Sequence, residues 1–224
     1  MEFQDKVVVI TGAGRGAGRL VAEAFAAQGA RIALNDISPQ NVEALAAEIH
    51  RRGYNNTRIY VEDVAKKVGV QSLIKQVEDD FGRLDVLINH ASVEPHTPLL
   101  DMDEWDWHRT LDVNMTSTFL TMQSAGRIMR ERGGGVIVNL ASLSGGTVVL
   151  DRAAYVASLF GLVGLTRQAA RELFAYNIRV HAVGRGLGRF QNTGTTVPAD
   201  LSRAVLFLCS PRAAHLTGHI VNMP

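Results

Sequence analysis

The most constraining feature of the chain is a short apolar run that leads directly into a glycine-rich turn. The run is KVVVIT at residues 6–11, and the turn is TGAGRGAG at residues 11–18. An unbroken apolar run of this length is typical of a strand that is covered on both faces. The following segment, residues 16–28, is rich in alanine and ends at Gly29, which predicts a helix with a glycine stop.

Strand and helix patterns alternate from there to the end of the chain. Further strands are predicted at 31–36, 57–63, 84–90, 134–142, 178–184 and 218–222, and further helices at 38–53, 66–81, 103–131, 153–176 and 199–209. Buried-type strands that alternate with helices predict an α/β fold, with a doubly wound parallel sheet of about six to seven strands and helices on both faces. With 224 residues, of which 46% are hydrophobic, the chain has the size of one domain spanning 1–224.

Composition excludes several classes of function. Lys and Arg number 23 against 22 Asp and Glu, so a net charge of +1 gives no reason to expect binding to nucleic acid or to an anionic membrane surface. No uncharged apolar run reaches the ~18 residues of a membrane span, and the N-terminus does not resemble a signal peptide. The single cysteine, Cys209, fits a reducing compartment, so we expect a cytoplasmic protein.

The glycine-rich turn has the context of a phosphate site. Its glycines allow the backbone to turn sharply beside a ligand, and the N–H groups of the following helix point at the same place. An acid, Asp36, ends the next strand, eighteen positions after Gly18. A carboxylate at that position accepts both ribose hydroxyls of NAD and repels the 2′-phosphate of NADP. NAD is therefore the predicted cofactor and NADP the less favoured one, although Arg15 and Arg19 lie near enough to help NADP.

Several ordered motifs carry a resemblance to a known family. They are Thr11-Gly-x-x-x-Gly16-x-Gly18, EDV at 62–64, NHAS at 89–92, LDVN ending at Asn114, NLAS ending at Ser142, Tyr155, and NIRVHAVGRG at 177–186. On these motifs the chain resembles the short-chain dehydrogenases/reductases over essentially its whole length. The resemblance implies a Rossmann-like fold and hydride transfer between a nicotinamide cofactor and an alcohol or ketone.

The resemblance also implies roles for particular residues. Ser142 would bond the substrate oxygen, Tyr155 would transfer the proton, and Asn114 would hold a water in the proton path. The cofactor would be bound by Gly12, Arg15, Gly16, Gly18, Asp36, Asp63, Val64 and Asn89. No metal is predicted. The glycine-rich segment 184–198 would be a short loop that selects a small-molecule substrate, whose identity the sequence does not reveal.

One departure from the family pattern concerns the chemistry itself. The family has a lysine four residues after the tyrosine, where this chain has Leu159. A free tyrosine titrates near pH ~10, and a nearby cation favours its ionised form, so the change removes both an acid–base aid and a donor to the nicotinamide ribose. Candidates to replace the cation are Arg185, His90, His181 and Arg152. Further departures are His90 and Ser92 in place of asparagine and glycine, Arg185 in place of proline, and Phe190 in place of threonine.

Three functions remain open on the sequence. The first is an NAD-dependent oxidoreductase of the family named above, with activity that is weak or that relies on a substitute cation. The second is a nucleotide-binding protein without turnover, acting as a sensor, scaffold or partner subunit. The third is a non-redox enzyme on the same fold, such as a lyase. Helices 103–131 and 153–176 are apolar around much of their circumference, so we also expect a homodimer or homotetramer.

Overall fold

The computed structural model describes residues 1–141, 150–185 and 198–223, with backbone alone at 185, 198 and 199. These residues form one sheet of seven strands flanked by helices, as the sequence predicted. The strands are β1 (Val7–Ile10), β2 (Arg31–Asn35), β3 (Thr57–Tyr60), β4 (Val86–Asn89), β5 (Gly135–Leu140), β6 (Ile178–Arg185) and β7 (Ile220–Met223). The helices are α1 (Gly16–Ala27), α2 (Pro39–Arg51), α3 (Lys67–Phe81), α4 (Glu104–Leu111), α5 (Ser117–Glu131), α6 (Ala153–Leu173) and α7 (Pro198–Cys209).

All neighbouring strands are parallel, in the order β3-β2-β1-β4-β5-β6-β7. The chain winds outward from β1 in one direction to β3, then returns to place β4 on the other side of β1. The carboxyl ends of β1 and β4 are therefore the switch point of the sheet, where the connecting loops diverge and leave a crevice. In a fold of this kind the crevice is where a ligand is expected.

The two faces of the sheet carry two separate cores, because side chains alternate along each strand. On β1, Val8 and Ile10 pack toward α1, α2 and α7, whereas Val7 and Val9 pack toward α3, α5 and α6. All four are fully buried, and burial of each such side chain stabilises the fold by roughly 2 kcal/mol. This two-sided burial explains why the strand is apolar throughout.

Local signals at the helix ends act as the sequence indicated, with one correction. The Ser38 hydroxyl accepts a bond from the Asn41 amide at 3.4 Å, and Pro39 occupies the first turn of α2. The predicted long helix over 103–131 is present and is capped by Asp103, but it is not regular throughout, because a π-helical turn at Asp112–Thr116 lies between α4 and α5. No helix in the described ranges has both the length and the apolar character to cross a membrane.

A buried histidine in β6 makes the stability of the fold sensitive to acid. His181 is fully buried, with its Nε2 3.4 Å from Arg179 Nη1 and its ring centroid 6.1 Å from that of His219. Burial, reinforced by the charge of Arg179 and by the neighbouring His219, lowers the pKa of His181 to about 4. The unfolded chain therefore binds a proton at this residue more readily than the folded chain does between pH 6.5 and 4.

We expect the free energy of unfolding to fall by about 2 to 3 kcal/mol from this one group as the pH falls from 6.5 to 4. Well above pH 6.5 the residue is neutral in both states, so its contribution no longer changes with pH. Urea unfolding at pH 7.0 and 4.5 measures the effect, and His181→Gln is expected to show a smaller loss than the parent. An equal loss in both proteins would assign the acid sensitivity to other groups.

Candidate active site

The turn after β1 and the loop after β4 are in close contact at the switch point. Gly12 has φ +62°, and a Cβ there would lie 2.8 Å from Ala91 Cα and 2.9 Å from Ala91 N. Only glycine fits this position, on grounds of both conformation and space. The Thr11 hydroxyl oxygen accepts bonds from the amides of His90, at 3.1 Å, and Ala91, at 3.3 Å, and so ties the two loops together.

A cavity of about 360 Å³ lies over this junction and contains most of the predicted cofactor residues. Gly12, Arg15, Gly16, Asp36, Asp63 and Val64 are among its lining residues. Gly18 is not in the lining. A Cβ on Gly18 would lie 2.6 Å from the Gly12 carbonyl oxygen and from His90 Nδ1, so this glycine lets α1 pack closely under the turn.

The carboxylate of Asp36 stands at the end of β2, where the sequence places it, and is only 6% exposed. Its Oδ2 accepts a bond from the Gly14 amide and its Oδ1 a bond from the Ser38 amide, both at 2.9 Å. These bonds fix the carboxylate at the rim of the cavity and leave further lone pairs for a ligand hydroxyl.

The chemistry of this cavity fits the adenosine diphosphate part of a dinucleotide. α1 begins at Gly16, and no side chain caps its first turn, so its free N–H groups are available to an anion. Three carboxylates, Asp36, Glu62 and Asp63, line the cavity and could accept bonds from the hydroxyl groups of a ribose or the amino group of a base. The glycine turn, the helix end and the acids are the groups that would hold such a cofactor.

A second cavity, of about 230 Å³, adjoins the first and contains the candidate catalytic residues that the structure describes, Asn114 and Tyr155. The two cavities share three lining residues, His90, Ala91 and Ser92. Tyr155 and Leu159 both line the second cavity, one turn apart on α6, and are 7% and 8% exposed. The side chain four residues after the tyrosine therefore faces the same space as the tyrosine and presents a hydrocarbon surface there.

Asn114 lies in the π-helical turn and uses its amide to join two elements. Its Oδ1 accepts from the Val93 amide at 2.8 Å, and its Nδ2 donates to the Val93 carbonyl at 2.9 Å and to Ser158 Oγ at 3.1 Å. Both amide hydrogens are thus used to hold the loop after β4 against α6. A water would have to bond to the remaining acceptor positions of this residue. Ser158 was not singled out in the sequence, although it stands three residues after the tyrosine and so shares its face of α6.

Asn89 lines the second cavity, but its side chain is committed to a buried polar network. Its Nδ2 donates to Asn139 Oδ1 at 2.9 Å, and its Oδ1 accepts from Thr121 Oγ1 at 2.7 Å. Asn139 in turn donates to Thr166 Oγ1 at 2.9 Å. The network joins β4, β5, α5 and α6 beneath the cavity, and the sequence motif does not reveal it because its members are far apart in the chain.

The structure brings fewer of the candidate cations to the tyrosine than the sequence offered. Within the described ranges, no lysine or arginine lines the second cavity, which contains the tyrosine. Arg152 pairs with Glu94, and His181 lies against Arg179 and His219 instead. Ser142 lies outside the described residues, and so does the side chain of Arg185.

The chain is similar in sequence and in fold to known dehydrogenases and reductases. A family model for the short chain dehydrogenases matches residues 6–198. A D-threitol dehydrogenase of Mycolicibacterium smegmatis is 37% identical, with 95% of this chain and 89% of that protein aligned. A 3-oxoacyl-[acyl-carrier-protein] reductase, FabG, of Staphylococcus aureus is 33% identical, with 97% and 96% aligned. The crystal structure of a short chain dehydrogenase from Mycobacterium smegmatis superposes with a TM-score of 0.92 at 31% identity, over 100% of this chain and 93% of that one. This chain belongs to the short-chain dehydrogenase family.

Proposed function

We propose that the chain is an oxidoreductase that uses NAD to interconvert a small-molecule alcohol and its ketone. The observation that carries the proposal is the placement of Tyr155 and Asn114 on one cavity that adjoins the dinucleotide-type cavity through His90, Ala91 and Ser92. The names of the similar proteins favour an enzyme over a nucleotide-binding protein without turnover. Weak activity is expected, because Leu159 occupies the position where the family has its lysine.

Each candidate site residue has a defined task in this proposal. The bound nicotinamide supplies the site that accepts or donates a hydride. The Tyr155 hydroxyl releases a proton to the carbonyl oxygen of the substrate, and in the reverse direction the Tyr155 phenolate takes a proton from the alcohol. Ser142 bonds that oxygen, Asn114 holds a water in the proton path, and segment 184–198 selects the substrate.

The tightest test of the proposal combines binding with turnover. A fluorescence titration with NADH is expected to give saturable binding, and a panel of alcohols and ketones that includes D-threitol is expected to give turnover with at least one of them. Binding without turnover on any member would favour the sensor, scaffold or partner-subunit alternative. Absence of binding would contradict the proposal as a whole.

We further propose a preference for NAD over NADP, supported by the carboxylate of Asp36 at the cavity rim. A 2′-phosphate beside this charge is repelled, so we expect NADH to bind at least about tenfold more tightly than NADPH. Asp36→Asn, which keeps the shape and removes the charge, is expected to narrow this ratio. Parallel titrations with the two cofactors measure the ratio of their dissociation constants. An unchanged ratio in the variant would show that residues other than Asp36 determine the selectivity, and Arg15 would be the first to examine.

Two further proposals concern the oligomeric state of the protein and its location in the cell. A groove of about 440 Å³ runs along α5 and α6 and is lined by Phe119, which is 44% exposed, while Phe160 elsewhere on α6 is 60% exposed. Large apolar side chains exposed on two adjacent helices support a homodimer or homotetramer formed through these helices. Cys209 is buried and unpaired, in keeping with the cytoplasmic location that we propose.

A further inference from the structure

His90 lies directly beneath the glycine-rich turn, between the two cavities. Its backbone amide is bonded to Thr11, its ring Nδ1 is 2.9 Å from the carbonyl oxygen of Gly12, and the residue lines both cavities. A dinucleotide that occupies both cavities must pass this residue with its diphosphate, the part that joins its two halves. The ring is therefore next to the most strongly charged part of the cofactor.

The surroundings of the two ring nitrogen atoms show how the ring is oriented. A Cβ on Gly18 would lie 2.6 Å from Nδ1, and a Cβ on Gly16 would lie 3.9 Å from Nε2. The Nδ1 edge therefore faces the inner side of the turn, whereas the Nε2 edge lies under Gly16, the first residue of α1. That residue begins the helix end whose free N–H groups favour an anion.

The bond to Gly12 determines which nitrogen carries the proton in the neutral ring. A carbonyl oxygen only accepts, so Nδ1 must be the donor. The neutral tautomer then has an unprotonated Nε2, which presents a lone pair toward the anion site. A second proton converts this lone pair into an N–H donor and adds a positive charge beside the diphosphate.

In the free protein the neutral form is favoured. Burial lowers the pKa of His90 below its usual value, and the charge of Arg15 acts in the same direction. The Gly12 carbonyl and the charge of Asp36 oppose this effect without reversing it. Arg15 in the turn and Asp36 at the end of β2 are the charged side chains that act on the ring within the described ranges.

We propose that His90 takes up a proton when a dinucleotide binds and then donates from Nε2 to the diphosphate, so that cofactor affinity is linked to pH. This inference rests on the proposed NAD binding. It makes His90 a cofactor-binding residue whose contribution grows as the pH falls. Between the lower pKa of the free protein and the higher pKa of the complex, the NADH dissociation constant is expected to rise with pH, approaching tenfold per unit at most.

Isothermal titration calorimetry at pH 7.0 tests the proposal directly. NADH is titrated in PIPES, HEPES and Tris, whose ionisation enthalpies differ, and the dependence of the heat on the buffer gives the number of protons taken up. The phosphates of NADH are diesters and do not titrate near neutral pH, unlike a terminal phosphate group. We expect a fractional uptake of up to about one proton per site for the parent protein. Adenosine, which has no phosphate, is expected to bind without uptake.

His90→Asn is the matched variant, because an amide can still donate to the Gly12 carbonyl but does not titrate. It is expected to bind NADH with no proton uptake and with a dissociation constant that changes less between pH 6 and 8 than that of the parent. Binding by the parent without uptake, or equal uptake by the variant, would overturn the assignment to His90 while leaving NAD binding intact. Failure of the parent to bind NADH at any pH would instead contradict the proposed function. A thermal melt checks that the variant is folded.

Discussion

Tyr155→Phe is expected to lower kcat by at least about 100-fold on any substrate that the parent protein turns over. The change removes one oxygen from a residue that is only 7% exposed in the wall of the cavity, and it leaves the ring in place. General acid–base catalysis by a positioned group contributes ~10² to 10⁴ in rate, and the phenolic oxygen is the proposed source of that proton. NADH binding is expected to change by less than about threefold, since the adenosine and diphosphate contacts lie in the other cavity.

Tyr176→Phe is the matched control for this experiment. Tyr176 lies in the short turn after α6, is 44% exposed and packs against Arg130, away from both cavities. Its replacement is expected to leave kcat and NADH affinity unchanged. Initial rates at saturating cofactor and NADH fluorescence titrations measure the two effects for each variant. Retention of more than about a third of the activity in Tyr155→Phe would show that another group transfers the proton.

The central strands of the sheet were predictable because they are buried on both faces. β1, β4 and the middle of β5 have no position that faces solvent, so each strand appears in the sequence as an apolar run that cannot be confused with a surface strand. The glycine stop after α1 and the Ser38–Pro39 start of α2 are local signals of the same kind. Residues close together in the chain determine all of these features.

The π-helical turn was not predictable, because it depends on hydroxyl groups that compete for backbone carbonyls. Ser117 donates to the Val113 carbonyl and Thr118 to the Asn114 carbonyl, at 2.6 Å and 3.2 Å. Such bonds alter the helical hydrogen-bond pattern where a run of small hydroxyl residues follows the asparagine. An extra residue rotates the rest of the helix by about 100° relative to its first part, but the hydroxyl residues Thr116, Ser117 and Thr118 carry no strong apolar signal that would mark this shift in the sequence.

The two halves of the site differ in how far the sequence predicts them. The proposed adenosine half depends on one turn and one strand end, so the motif from Thr11 to Gly18 and the acid at Asp36 are enough to predict it. The reactive half is assembled from distant segments, and the close approach of His90 to Gly12 joins residues 78 positions apart. The sequence shows that a histidine replaces the asparagine of the family motif. It does not show that the ring lies under the turn or that Asn89 is committed to a sheet–helix network.

Leu159→Lys is the prediction that tests the missing cation. Leu159 is 8% exposed and shares the cavity wall with Leu140, Leu162 and Tyr155. A lysine at this position directs its ammonium group into the space that the tyrosine faces. A cation within a few ångströms of a phenol lowers the phenol pKa by about 1 to 3 units, because it stabilises the phenolate. We therefore expect kcat at pH 7 to rise by about tenfold and NAD to bind several-fold more tightly, through a new donor to the nicotinamide ribose.

The same change is expected to destabilise the free protein by about 1 to 3 kcal/mol, since an ammonium group among leucine side chains loses solvation that the cavity does not replace. NAD is expected to recover part of this loss, because a ligand that binds only the folded state stabilises it. Leu159→Met has nearly the length of lysine without the charge, so it separates the effect of shape from that of the cation and is expected to leave kcat unchanged. Steady-state kinetics and thermal melts with and without NAD measure the three proteins together. If Leu159→Lys is folded and gains neither turnover nor NAD affinity over Leu159→Met, the absent ammonium does not limit this enzyme, and the cation must come from a residue such as Arg185.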